Sequence, residues 1–336
     1  MCIRDRWETV RSWNIGFDFG LLNNRLTGSF DYFVRNTLDM IGPAPQLPAT
    51  LGATVPKVNN ADMKAWGFEV AVSWRDRIKD FNYGVKFVLS DDQRKVTRYP
   101  NEELNRNQWY AGRMDGLVWG YETVGIAKTD AEMEAHLASL PNGGQSQLGS
   151  KWAAGDIMYK DLNGDGKISS GDGTLNDLGD LKVVANTQLR FKYGLTLDAS
   201  WKGFDFSAFF QGVGKRDVVV GGPYFWGANG QGMWQAAAFK DHMDYFRPED
   251  TESVFGPNVD AYYPRVIFGG GSSEGGKNTL TQSRYVQNGA YIRLKNLQLG
   301  YTLPSTITKK FAVNSLRVYV SGDNLWTCLL YTSPSP

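Results

Sequence analysis

The sequence has few residues of the types that build metal clusters and disulfide scaffolds. Its 336 residues include only two cysteines and two histidines, which excludes a Cys/His zinc cluster and a disulfide framework. No run approaches the roughly 18 apolar residues of a membrane-spanning helix. Thirty-six basic and 35 acidic side chains leave a net charge of +1, whereas a nucleic-acid binder needs a clustered basic excess. We therefore expect no nucleic-acid partner.

Aromatic residues and glycine are abundant by contrast. Phe, Tyr and Trp make up 13% of the chain, and there are 38 glycines, a share above the usual ~7%. Many short strands and turns would produce this composition. A transmembrane β-barrel would also produce it, because half of every barrel strand is polar and keeps the average hydropathy low.

Strict alternation of apolar and polar residues predicts four β-hairpins. The alternating segments are 13–21 with 26–34, 66–74 with 81–89, 189–201 with 204–210, and 297–303 with 316–320. In the last hairpin Ile292 and Leu294 are out of phase with Leu297, which predicts a β-bulge near Lys295.

The connections are sorted by length, with short turns inside the hairpins and long loops between them. The long loops are predicted at about 36–64, 93–188 and 214–287. The apolar faces carry no charge and the opposite faces carry eleven charged residues, as expected for a lipid-facing wall around a wet lumen. Trp66 and Trp74 are about 26 Å apart along a strand, which suits the two aromatic girdles of a barrel.

These patterns predict an all-β fold: an antiparallel transmembrane β-barrel, of which the chain supplies about eight or more strands, with long extracellular loops. The alternative is a soluble, calcium-stabilised carbohydrate-binding module built as a β-sandwich. The ends differ from the rest of the chain, because residues 1–6 and 328–336 do not continue the neighbouring patterns and resemble translated sequencing-adaptor read-through. We interpret both ends as non-native and residues 7–327 as an internal portion of a receptor barrel domain.

One acidic loop has the spacing of a calcium-binding loop. The positions that would supply ligands are Asp161, Asn163, Asp165, Lys167 through its carbonyl, and Asp172. Gly166 permits the sharp turn that brings alternate oxygen ligands together. The sequence predicts a structural calcium ion here; the alternative is a solvated turn rich in Asp, Asn and Gly.

Other motifs give little support for catalysis. The segment Gly271–Asn278 nearly spells a phosphate-binding P-loop, but it ends in Asn, which lacks the magnesium-binding hydroxyl. His136 and His242 lie outside any nucleophile-elbow context, and His136 falls in a short helical stretch at 131–140. We therefore predict no enzyme activity, although the spacing of a glycosidase carboxylate pair cannot be read from sequence.

Loop aromatic residues form a second set of candidate binding residues. Those chosen as substrate contacts are Trp119, Tyr121, Trp226 and Trp234. Such rings can stack on a sugar or pack on a hydrophobic substrate, although aromatic residues in long loops more often pack the loops themselves.

Several ordered strings of residues resemble the SusC/RagA family of TonB-dependent outer-membrane transporters. They are Trp13–Gly20 with Asn24–Thr27, the acidic loop Gly155–Ile168, the strand Phe204–Gly212, and Tyr291–Pro304 with Leu316–Trp326. The likeness covers about residues 7–327, and the loops at 93–150 and 214–285 diverge most.

This resemblance implies a 22-stranded barrel in the outer membrane of a Gram-negative, Bacteroidetes-type cell. It implies an N-terminal plug, a TonB-contacting box and a surface lipoprotein that lids the barrel, with import of glycans or peptides driven through TonB. Plug and TonB box have no counterpart in these 336 residues. We therefore expect residues 1–336 by themselves to transport nothing, because an eight-stranded piece leaves two strand edges unpaired in lipid.

Overall fold

The computed structural model describes residues 7–44, 50, 52, 55–227, 238–267, 274 and 276–329. Eight strands form one antiparallel sheet in the order β1-β2-β3-β4-β9-β10-β13-β14. Their bounds are Thr9–Leu21 (β1), Leu26–Ile41 (β2), Asn59–Ile78 (β3), Phe81–Arg98 (β4), Arg190–Trp201 (β9), Phe204–Lys215 (β10), Tyr291–Thr302 (β13) and Arg317–Leu329 (β14). The four predicted hairpins are confirmed, and neighbouring hairpins pair with one another through β2 with β3, β4 with β9, and β10 with β13.

The strands extend several residues beyond the predicted loop boundaries. β2 continues to Ile41, and β3 and β4 together run from Asn59 to Arg98, so the long connections shrink to 42–58, 99–189 and 216–290. The extensions of β3 and β4 are mostly polar, and Asn36 interrupts the apolar alternation of β2, so the pattern that marks the lower parts of the strands does not reveal them. The predicted bulge is confirmed, since the register of β13 against β14 shifts between Leu294 and Asn296.

The sheet is not covered by a second layer of the protein in the described part of the chain. β1 and β14 form its two edges, so the barrel is partial and open. Much of the apolar face is exposed, with Ile15 at 68% and Phe17 at 59% of their full accessible area. A β-sandwich would bury this face against another sheet. The single sheet therefore favours the barrel wall over the sandwich.

The long connections fold into a separate layer with its own core. Its strands are Leu117–Tyr121 (β5), Thr123–Ile126 (β6), Ile157–Tyr159 (β7), Leu181–Asn186 (β8), Asp217–Val219 (β11) and Val286–Asn288 (β12). They form three two-stranded sheets, β5-β8, β6-β7 and β11-β12. The buried aromatic and aliphatic cluster of the molecule lies here, around Ile157, Tyr159 and Tyr285.

Helices are few and short. They are Asp130–Ala138 (α1), Pro223–Trp226 (α2) and Ser305–Thr308 (α3), with 3-10 turns at Lys240–Met243, Gly276–Asn278, Ser283–Tyr285 and Lys309–Phe311. α1 confirms the predicted helical stretch, and the side chain of Thr129 caps it by accepting from the N–H of Glu132. None of the helices in the described ranges is long and apolar enough to cross a membrane.

Candidate functional site

A buried ion pair joins two of the long connections. The ammonium of Lys277 lies 2.9 Å from Asp156, and both side chains are fully buried. Lys277 also donates to the carbonyl oxygens of Ser150 at 2.7 Å and Lys151 at 3.1 Å. Its ammonium lies 4.6 Å from the centre of the Trp152 ring. Every donor of this ammonium therefore has a partner inside the loop layer.

The carboxylate of Asp156 is the centre of this cluster. It accepts two hydrogen bonds from Arg265, at 2.7 and 2.8 Å, and one from the side-chain amide of Asn278 at 2.8 Å. The N–H of Ala153 donates to it at 3.0 Å. A buried carboxylate is tolerated only when it is paired and hydrogen-bonded in this way. We call Asp156, Arg265, Lys277 and Asn278 the loop clamp.

Two buried glutamines continue the polar network. The side-chain oxygen of Gln145 accepts from the N–H of Tyr159 at 2.6 Å, and its amide donates to the carbonyl of Ile157 at 3.1 Å. Gln282 donates to the carbonyl of Asn278 at 2.9 Å and accepts from the hydroxyl of Thr123 at 2.8 Å. Gln145 therefore holds the backbone of β7, and Gln282 links the turn at Asn278 to Thr123 on β6.

Aromatic rings pack in the buried core of the loop layer. Trp226 lies 4.7 Å from Tyr285 between ring centres, and Phe225 lies 4.8 Å from Trp226. Burial raises the pKa of the Tyr285 hydroxyl above its usual range, so this phenol stays neutral. Its hydroxyl donates to the carbonyl of Tyr262 at 3.0 Å. Trp226 and Tyr285 also line a cavity of about 300 Å³ between residues 219–222 and 279–282.

The predicted substrate-contacting residues do not come together as one surface. Tyr121 is buried and its ring lies 5.3 Å from that of Tyr159. Trp119 lies on β5 and is partly buried, with an indole N–H that has no acceptor among the described residues. Trp226 faces the cavity, and Trp234 lies outside the described residues. Packing explains Tyr121 directly, and Trp226 is the member of the set that borders a cavity.

The acidic loop forms the sharp turn that its sequence predicts. Asp161 accepts the N–H groups of Gly164 at 2.6 Å and Gly166 at 2.9 Å, one on each carboxylate oxygen. Asp165 accepts the N–H of Lys167 at 3.1 Å. The φ of Gly166 is +76°, a conformation that favours glycine. Burial opposes ionisation of Asp161, but these N–H donors outweigh it and lower the pKa of its carboxyl.

The acid at the end of the motif lies elsewhere. Asp172 accepts the N–H of Thr174 at 2.7 Å, and in the described part of the chain no hydrogen bond joins it to the turn around Asp161. A different acid, Asp180, is fully buried beside the loop and accepts the N–H groups of Leu162 and Ser169, both at 2.7 Å. Burial raises the pKa of Asp180, and the negative charges of Asp161 and Asp165 raise it further.

Asp161 and Asp165 lie close enough to Asp180 for their negative charges to act on it, and a cation would relieve this repulsion. No group of three or more His, Cys, Asp or Glu side chains in the described ranges is arranged so that it could hold a metal ion. The donors are all oxygen atoms, which suits calcium rather than zinc. The calcium ion therefore stays a prediction, with Asp180 as an additional donor that the motif does not include.

The P-loop-like segment has a structural role at its described end. Gly276–Asn278 is a 3-10 turn, and Lys277 points into the loop clamp. Its ammonium is enclosed and already bonded, so it is not free to hold a phosphate. Residues 271–273 and 275 of this segment lie outside the described residues.

Sequence reasoning missed the loop clamp and Asp180. Asp156 and Asn278 are separated by 122 positions, and no local spacing links them. Lys277 and Asn278 belong to the P-loop-like segment, but a P-loop pattern indicates phosphate binding and not a buried ion pair. Asp180 follows Gly179 at the end of the acidic segment, which is the one local signal that could have extended the calcium loop to it.

Known proteins resemble this chain over nearly its whole length. Residues 5–200 match the family described as "TonB dependent receptor-like, beta-barrel". The TonB-dependent receptor P3 of Formosa agariphila is 28% identical, over 98% of this chain and 31% of that protein. The TonB-dependent receptor SusC of Bacteroides thetaiotaomicron is 22% identical, over 98% of this chain and 30% of that protein.

Solved structures give the same fold. The structure of the RagAB peptide transporter superimposes with a TM-score of 0.67 at 22% identity, over 97% of this chain and 32% of that chain. A second structure, of the RagAB peptide importer in an "open-open" state, gives a TM-score of 0.66. The chain spans about a third of the length of the curated relatives it matches. Because the family match covers more than half of its residues, the chain belongs to the TonB-dependent receptor-like β-barrel family.

Proposed function

We propose that this chain forms part of the wall and the extracellular loops of an outer-membrane importer that takes up glycans or peptides. The observation that carries the proposal is the apolar face of the eight-stranded sheet, which has no protein cover in the described residues and has long connections at one end only. Lipid is the solvent that such a face requires. The loop layer, with its own core, then stands at the outer surface.

The partners follow from the same proposal. TonB would supply the energy, as the family description and the names of the relatives suggest. A surface lipoprotein would cover the loops, as the resemblance to the SusC/RagA family implies. The loop clamp supports this assignment, because it fixes the backbone of two long connections that would otherwise present no defined surface to a partner. Catalysis has no place in this proposal.

Uptake by living cells tests the function. Cells that lack the intact receptor carrying these residues should lose uptake of one class of oligomer, either glycans or peptides. A plasmid-borne wild-type copy should restore uptake, and a protonophore should abolish it again. Uptake that is unchanged by deletion would contradict the proposal. A receptor that stays in aqueous buffer without detergent would instead favour the soluble carbohydrate-binding module.

We propose that the acidic loop holds a structural calcium ion. The support is the set of oxygen donors at Asp161, Asn163, Asp165 and the carbonyl of Lys167, together with the buried carboxylate of Asp180. Bound calcium would neutralise the negative charge that these carboxylates concentrate. In the intact receptor, calcium should raise the melting temperature. The double variant Asp161→Ala with Asp165→Ala should abolish that rise, and an unchanged calcium response would rule the site out.

We propose that Trp226 contributes to substrate binding through the cavity that it borders. Trp119, Tyr121 and Trp234 stay candidates of the same kind. Trp226→Phe preserves an aromatic ring against Tyr285 but alters the cavity wall, so it should raise the substrate concentration for half-maximal uptake without lowering the melting temperature. Equal uptake curves for variant and wild type would remove Trp226 from the set.

A further inference from the structure

One row across the first four strands of the sheet holds three basic residues and one asparagine. Arg11 on β1 lies opposite Asn36 on β2, Asn36 lies opposite Lys64 on β3, and Lys64 lies opposite Lys95 on β4. We call these four residues the basic row. Adjacent strands are about 4.8 Å apart, so the row extends across about 14 Å of the sheet.

The basic row lies on the apolar face, at its loop end. Side chains two residues apart in a strand share a face, and the next row on this face includes Trp13, Val34 and Trp66. Lys64 is ten residues from Trp74 at the turn end of β3, or about 33 Å along the strand. A tilt near 45° reduces this to about 23 Å, close to the ~25 Å height of the apolar band in a membrane barrel. The row therefore marks the upper border of that band.

The turn end of the same face is different. Beyond Trp74 the face carries Asp76, which pairs with Arg25 at 3.3 Å. This pair has no net charge, whereas the basic row carries three positive charges and no acid. Positive charge therefore accumulates at only one border of the apolar band in these four strands.

The charges of the basic row have no acidic partners among the described residues. Arg11, Lys64 and Lys95 are exposed. The next acid on this face of β3, Asp62, accepts from Arg98 at 2.6 and 2.8 Å. Like charges directly opposite each other destabilise a pair of strands, and Lys64 faces Lys95 in this way.

The remaining charged groups near the loop end of this face are also paired. Asp39 accepts from Arg98 at 2.7 Å, and Asp91 accepts two hydrogen bonds from Arg190 at 2.5 Å each. Lys64 makes one further contact, with the ring of Trp66 at 5.8 Å. The three positive charges of the basic row therefore have no anionic partner among the described residues, and an anion from outside them could bind there.

We infer that the basic row binds the phosphate groups of the lipid that forms the outer leaflet of the membrane. The inference rests on the proposed location in the outer membrane. Lys and Arg at a headgroup border attract anionic lipid strongly, and ammonium and guanidinium groups form charge-assisted hydrogen bonds with phosphate. An anion over the row would also relieve the repulsion between Lys64 and Lys95. The apolar band below the row accommodates the acyl chains of the same lipid.

Native mass spectrometry of the intact receptor in detergent tests the inference, with bisphosphorylated lipid A and its dephosphorylated form as probes. The test variant is Arg11→Gln with Lys64→Gln and Lys95→Gln. The control removes three basic residues from the opposite face, by Arg35→Gln with Arg75→Gln and Lys86→Gln; none of these forms an ion pair in the described residues.

Wild type and control should bind the phosphorylated lipid more tightly than the dephosphorylated lipid. Each charge removed from the basic row should weaken binding about fivefold, so the triple variant should lose about 100-fold. Equal binding of the two lipids by wild type, or full affinity in the triple variant, would overturn the inference. Should the triple variant fail to fold, Lys64→Gln and Lys95→Gln are measured singly.

The outcome is separable from that of the proposed function. If the receptor imports its substrate but does not distinguish the two lipids, only the inference that the basic row binds lipid phosphate is contradicted. A receptor that does not partition into membranes contradicts the proposed function, whatever lipid it binds.

Discussion

The loop clamp should respond unequally to the removal of its two charges. Without Lys277, Asp156 keeps both hydrogen bonds from Arg265 and one from Asn278. Without Asp156, the fully buried ammonium of Lys277 keeps two carbonyl acceptors and a carboxylate of Glu274 at 3.6 Å. Removing the carboxylate therefore leaves the worse-compensated charge.

The magnitudes follow from this asymmetry. Asp156→Ala leaves the buried ammonium of Lys277 without its carboxylate partner, which costs about 3–5 kcal/mol. Lys277→Met keeps most of the side-chain volume and forfeits hydrogen bonds made by a charged group, worth about 1.5–3 kcal/mol. Lys160→Met is the matched control, because Lys160 is half-exposed and lies 3.5 Å from Glu122. An exposed pair of this kind contributes at most about 1 kcal/mol.

Hydrogen exchange of backbone amides in the intact receptor measures these values as local opening free energies. The amides of Ile157 and Tyr159 are suitable reporters, since they donate to Asn278 at 2.9 Å and to Gln145 at 2.6 Å. We expect the largest fall for Asp156→Ala, a smaller fall for Lys277→Met and almost none for Lys160→Met. A larger effect for Lys277→Met than for Asp156→Ala would refute the reasoning.

Three further predictions concern the loop layer. The ammonium of Lys182 lowers the pKa of the Glu122 carboxyl below its ordinary 4.5. The ion pair therefore stabilises the fold fully above pH 4.5, and this stabilisation is lost as the pH falls through the lowered pKa. Glu122→Gln should accordingly reduce the opening free energy by less than about 1 kcal/mol at neutral pH and by nothing in acid, as hydrogen exchange at both pH values would show. Calcium titration by calorimetry should show weaker binding for Asp180→Asn and unchanged binding for Asp172→Asn. The reverse result would show that Asp172 is the ligand, as the sequence motif predicts, and that Asp180 is not. Gly166→Ala forces a left-handed conformation on a residue with Cβ and should destabilise the acidic loop by about 1–2 kcal/mol, and an unchanged exchange rate in that loop would contradict the observed turn.

The hairpins could be predicted from sequence because their signal is local. A sheet with one apolar face repeats every two residues, so the positions from Trp13 to Leu21 already define a strand and its faces. The bulge near Lys295 was predictable for the same reason, as a break in phase. The sequence predicts loops at the ends of β2, β3 and β4, since these segments continue the backbone pairing without continuing an unbroken apolar pattern.

The loop layer could not be predicted in the same way. Its stability depends on polar contacts between distant positions, such as Asp156 with Lys277, and composition near either residue does not indicate the other. The calcium motif gave the turn at Gly166 correctly, but its spacing is that of a loop followed by a helix. Here the chain turns again after Ser169, which places Asp180 rather than Asp172 beside Asp161.

The central claim is that the apolar face of the sheet contacts lipid and the opposite face contacts water. Cysteine accessibility along β3 tests it most directly. The intact receptor is used with every cysteine of its own replaced by serine, and the labelling agent is a membrane-impermeant maleimide. The variants Glu69→Cys and Ala71→Cys should react, and Val70→Cys and Val72→Cys should be protected in membranes. Labelling of all four, or protection of Glu69→Cys and Ala71→Cys with reaction of the other two, would contradict the claim.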